Sequence, residues 1–112
     1  MNPPVISSEA LSELRYIHKL SLEYNKTVQV GHQERLLDLM RHHVDEIQEL
    51  LSREDKHGLV ETGDLLILCF ELLLEHDASI DDILRQCFDR YKKKLTSLMD
   101  ESDFKQGSIL DA

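Results

Sequence analysis

The chain has no tryptophan, two prolines, four glycines and two cysteines in 112 residues, and each scarcity excludes something. Both prolines, Pro3 and Pro4, lie at the start, so nothing from residue 5 onward forbids long helices. Gly31, Gly58, Gly63 and Gly107 are too few and too scattered for collagen-like or low-complexity sequence. Cys69 and Cys87 lack a C-x-x-C spacing and sit among aliphatic neighbours, which predicts reduced core thiols rather than a disulfide scaffold. Positive charge is also short: 13 Lys and Arg stand against 22 Asp and Glu, leaving a net charge of -9. A protein that coats nucleic acid needs a basic stripe to release counterions, so a nucleic-acid polymer is excluded as general partner. Any phosphate-bearing ligand needs a cation as intermediary. No stretch approaches the roughly eighteen uncharged apolar residues of a membrane span, and Met1-Asn2-Pro3-Pro4 lacks the basic start of a signal peptide. The expectation is one cytoplasmic domain over 1–112, with no membrane partner.

What the chain does have is helical periodicity almost throughout. Four helices are predicted at about 8–26, 32–53, 57–77 and 79–100, with a flexible tail over 102–112. On the second, Leu36, Met40, Val44, Ile47 and Leu51 form the apolar stripe. Ser79, with Asp82 three residues on, resembles a capping box for the fourth. Short connections imply antiparallel neighbours, so the predicted fold class is an all-α, four-helix antiparallel bundle. The third helix is apolar around nearly its whole circumference over 65–74, so it is either the central helix of a monomer or covered in part by another subunit, and four helices leave few neighbours to enclose a central one. A symmetric partner covers the rest most simply, which predicts a homodimer or a dimer of dimers.

The acidic residues are patterned. Glu46 and Glu49 stand three apart on the second helix, and Glu61 and Asp64 three apart at the start of the third. Residues at that spacing project from one face on successive turns, so four carboxylates can converge between two helices. Glu46 falls at the margin of the apolar stripe and Glu49 farther out. Glu61, Asp64, Leu68, Glu71 and Glu75 form one continuous face, acidic except for the leucine. A solvated acidic face is the ordinary explanation of any single glutamate, but like charges on adjacent turns repel and something must offset that. Hard divalent cations take carboxylate oxygens and leave positions for water and phosphate. A di-iron carboxylate bundle needs E-x-x-H on two helices, and Glu54 to His57 is the only match. His42 shares a face with Glu46 and Glu49 and reads as a salt-bridging or solvated histidine.

The fourth helix supplies the opposite charge. Lys94 falls within its inner apolar sector and Arg90 on the edge, either snorkelling to water or reaching a phosphate, with Tyr91 beside them as a core residue. On the first helix the inner face includes His18, Ser21, Tyr24 and Asn25, able to stack and to hydrogen-bond or simply to satisfy nearby backbone.

Together D-E-I-Q-E-L at 45–50, E-T-G-D-L-L at 61–66 and R-Y-K-K-K at 90–94 resemble the MazG-like all-α nucleoside triphosphate pyrophosphohydrolase superfamily, over roughly residues 32–95. The resemblance implies that Glu46, Glu49, Glu61 and Asp64 bind Mg2+, with Mn2+ a possible substitute, and form the catalytic centre. It implies that Arg90 and Lys94 contact phosphates, and it makes His18, Asn25 and Tyr91 candidates for base or sugar contacts. The implied reaction converts a nucleoside triphosphate to the monophosphate and pyrophosphate, as in house-cleaning of noncanonical or surplus deoxynucleotides. A dedicated dCTP or dUTP pyrophosphatase, a phosphoribosyl-ATP pyrophosphohydrolase and a non-catalytic acidic dimer that binds a protein remain the alternatives. Phe88 stands where the family commonly has an asparagine, which bears on sugar or phosphate contacts and not on the metal.

Overall fold

A computed structural model describes residues 3–104 as four α-helices with no strand among them. They are α1 (Ser8–Thr27), α2 (His32–Ser52), α3 (His57–Glu75) and α4 (Ile80–Phe104). The all-α expectation holds; the tail expected over 102–112 lies outside the described residues from 105 onward, and 102–104 continue α4.

Side-chain caps open two of the helices. Ser7 Oγ accepts the Ala10 N–H at 3.1 Å, and Ser79 Oγ accepts that of Asp82 at 3.2 Å, as the capping box predicts. The first three helices stop without the usual glycine. Gln29, Glu54 and Asp77 adopt φ of 59°, 57° and 54°, the left-handed region. In each case the next residue donates back five positions: Val30 to the Asn25 carbonyl at 3.0 Å, Asp55 to Leu50 at 2.9 Å and Ala78 to Leu73 at 3.0 Å. These are Schellman caps, and they fold the chain back on itself.

Helices α1, α2 and α3 form the packed body. Leu36 is fully buried on α2 and Leu50 nearly so, with Leu39, Met40, His43 and Ile47 half-buried between them. Val44 and Leu51, assigned to the stripe from sequence, are exposed, so the buried face is turned toward Leu39 and His43. At Gly58 an added Cβ would sit 2.9 Å from Leu51 Cδ2, so the missing side chain lets α3 begin close against the end of α2.

Helix α4 packs against α3 alone, through its first turns. Ile80 is buried, and Asp81 accepts the backbone N–H groups of Val5 at 3.0 Å and Ile6 at 3.1 Å, tying the N-terminal segment to the helix start. Those two bonds, with Arg85 nearby, hold the Asp81 carboxyl below its ordinary range. From Phe88 to Glu101 every residue is exposed, including Tyr91, Leu95 and Met99. The outer side of α3 is open too, at Leu59, Val60, Leu66 and Cys69. Cys69 is therefore not a core residue of the single chain; both thiols are free. The radius of gyration is 18.0 Å, against the ~13 Å of a compact domain of this length.

Candidate metal centre

The acidic face of α3 turns inward. Glu71 is 3% exposed, and Glu61 and Glu75 are half-buried, all against α1 and α2. Histidines line this face. His43 Nε2 lies 3.3 Å and His57 Nε2 3.4 Å from the Glu61 carboxylate. His18 approaches Glu71 at 3.8 Å and Glu75 at 3.5 Å, and His32 approaches Glu75 at 3.4 Å. No lysine or arginine forms an ion pair with these glutamates among the described residues.

At the Glu61 end, His43, Glu61 and Asp64 each bring one ligand atom within 4.8 Å of the others. The orientation of His43 decides what this group can do. Its Nδ1 lies 2.8 Å from the Leu39 carbonyl oxygen. A carbonyl only accepts, so Nδ1 carries the proton and donates. In the neutral ring Nε2 then presents a lone pair, and that lone pair faces the Glu61 carboxylate. Two electron-rich groups 3.3 Å apart need either a proton on Nε2 or a cation between them. An imidazole tethered through Nδ1 to a backbone carbonyl, with Nε2 free, is oriented as metal-binding histidines are. The donor set therefore fits a divalent ion, with nitrogen added to the oxygens expected from sequence.

Of the four carboxylates, Glu61, half-buried, and Asp64, exposed, belong to this group, whereas Glu46 and Glu49, also exposed, join no three-residue cluster of ligand atoms among the described residues. Glu46 stands one turn beyond His43, about 60° around the axis, and Glu49 about another 60° away. Periodicity had singled out His42, which is exposed; its neighbour His43 faces α3. The signal for His43 was its place seven residues from both Leu36 and Leu50, the two buried leucines of α2. His57, considered from sequence only as the end of the single E-x-x-H match, is the first residue of α3 and reaches Glu61 one turn on.

The other candidates lie elsewhere. Arg90, Lys94 and Tyr91 line a shallow dent on α4, with Lys94 Nζ 5.9 Å from the Tyr91 ring centre. All three are exposed, and Tyr91 is not in a core within the single chain. His18 and Asn25 are inside the body: Asn25 is 4% exposed, with its Nδ2 2.8 Å from His32 Nδ1. A cleft of about 290 Å3, lined by Pro4, Ile6, Leu11, Leu74 and Ile80, lies at the α3–α4 junction and not beside Glu61.

No family model, curated protein or solved structure matches the chain. No helix among the described residues is long and apolar enough to cross a membrane.

Proposed function

We propose that the protein is a divalent-metal-dependent nucleoside triphosphate pyrophosphohydrolase that works as a homodimer, releasing the monophosphate and pyrophosphate, as the MazG-like sequence resemblance implies. The observation that carries the metal site is the Nε2 lone pair of His43 facing Glu61, beside Asp64. Glu61, Asp64 and His43 would hold the ion, with Glu46 and Glu49 on the following turns of α2 able to close on it or on its waters. A bound Mg2+ or Mn2+ supplies charge neutralisation at the phosphate oxygens and acidifies a coordinated water.

The residues supply the remainder. Leu39 fixes the ring of His43, so the nitrogen needs no reorientation when a nucleotide arrives. A carboxylate left outside the coordination sphere takes the proton of the attacking water. Arg90 and Lys94 neutralise the outgoing pyrophosphate, and because α4 carries them on an arm with no neighbour of its own, they are suited to serve a second copy's carboxylates.

Two measurements test this reading. Pyrophosphate release is assayed across a panel of canonical and modified nucleotides; an imidazole in the ligand set favours Mn2+ over Mg2+, so turnover with Mn2+ should equal or exceed that with Mg2+. Absence of release from every nucleotide with either ion defeats it. Light scattering at micromolar concentration should give about twice the 13.0 kDa chain mass. A monomer at that concentration removes the dimer.

A further inference from the structure

The other end of the inward acidic face holds a second cluster that the proposed chemistry does not use. We propose that His18, His32, Glu71 and Glu75 bind one divalent transition-metal ion, of the zinc type, at the junction of α1, α2 and α3. His18 Nδ1, His32 Nε2, Glu71 Oε1 and Glu75 Oε2 are all buried and none has a hydrogen-bond partner. His18, His32 and Glu71, from three helices, each bring one ligand atom within 4.8 Å of the others, and Glu75 stands beside them with Oε2 3.4 Å from His32 Nε2.

Distances separate a metal site from plain ion pairs. An N–H···O bond to a carboxylate closes to ~2.7–2.9 Å. Here His32 Nε2 to Glu75 Oε2 is 3.4 Å and His18 Nδ1 to Glu71 Oε1 is 3.8 Å. A tetrahedral ion with bonds of ~2.0–2.1 Å holds its ligand atoms ~3.3–3.4 Å apart, close to the His32–Glu75 separation and about half an ångström inside the His18–Glu71 one.

The donor chemistry selects the ion. Two imidazoles with two carboxylates suit zinc, cobalt or manganese, whereas magnesium and calcium take oxygen ligands. The charge also argues for a cation, because Glu71 is 3% exposed and has only His18 against it. Asn25 completes the arrangement as a positioning residue. Its Nδ2 lies 2.8 Å from His32 Nδ1 and donates to it in the metal-free protein; when Nε2 takes the metal it gives up its proton, Nδ1 becomes the protonated nitrogen, and the Asn25 amide turns over to accept from it. With Glu75 as the fourth ligand no coordination position would be left open, which makes this a structural ion that fastens α1 to the α2–α3 hairpin.

The test uses full-length protein stripped with chelator, carrying Glu61→Gln and Asp64→Asn so that the first site is silent. Titration with Co2+ should show one equivalent bound, with the visible absorption of a four-coordinate ion; Zn2+ should displace it and millimolar Mg2+ should not. Adding His32→Gln or, separately, Glu71→Gln should weaken binding by tenfold or more, and Asn25→Leu by roughly 10–100-fold with the band shape kept. In the unsubstituted protein, Zn2+ should shift the 15N imidazole signals of both His18 and His32, a readout that needs no variant to fold. Absence of the cobalt equivalent, unmoved His18 and His32 signals, or undiminished affinity in both ligand variants overturns the proposal.

Discussion

Glu61→Gln tests the first site because it should act in opposite directions on stability and turnover. In the neutral ring the Glu61 carboxylate faces the lone pair of His43 Nε2 at 3.3 Å. A glutamine can instead donate its amide to that lone pair, worth about 0.5–1.5 kcal/mol for one hydrogen bond. It also removes the repulsion with Asp64 one turn away, about 0.2–0.5 kcal/mol. The metal-free protein should therefore gain about 1–2 kcal/mol, read by urea unfolding with chelator present. Turnover with metal should fall ~10²–10³-fold, about 3–4 kcal/mol in the barrier, as for loss of one preorganised charge at the reacting phosphate. A destabilised variant with normal turnover would refute the assignment of His43 and Glu61 to a metal.

Two further expectations concern the scaffold. Asp81 has a folded-state pKa below its unfolded value, so its tether on Val5 and Ile6 contributes fully above the ordinary carboxylate pKa of about 3.9 and is lost as pH falls through the lower folded value. Asp81→Asn should thus cost stability at neutral pH, and the cost should shrink as pH falls below the ordinary carboxylate value, measured by thermal unfolding across that range. Glu54→Gly should stabilise by about 0.5–1 kcal/mol, because relief of a left-handed non-glycine residue exceeds the entropy glycine adds to the unfolded chain; unchanged or reduced urea stability would contradict the cap at the end of α2.

Much of the fold was legible because its signals are local. The Ser79 cap, the uninterrupted helical runs and the polar breaks near residues 53–56 and 76–79 are read within a few neighbouring residues. The helix stops were harder to place because Gln29, Glu54 and Asp77 occupy positions where glycine is the usual marker, while Gly58 and Gly63 lie inside α3. At the site, Glu61 and Asp64 were legible from spacing alone. His43 was not, since a histidine within an apolar face reads as core until its Nδ1 is seen on the Leu39 carbonyl. The inward turn of Glu71 and Glu75 was also out of reach, because it depends on His18 and His32, which are 53 and 43 residues away in the chain from Glu71 and Glu75 respectively. That is tertiary information carried by no local pattern.

The exposed length of α4 has a consequence for how the protein opens and closes. Most helical stability in proteins comes from tertiary packing of one face, and from Phe88 to Glu101 no residue of α4 is buried. The single chain is therefore two cooperative units, a body of α1–α3 and an arm that can unwind at little cost. Amide hydrogens beyond Phe88 should exchange far faster than those around Leu36, and their protection should rise with protein concentration if a second copy covers the arm. Melting followed at one wavelength would merge the two events, so one midpoint would describe neither unit.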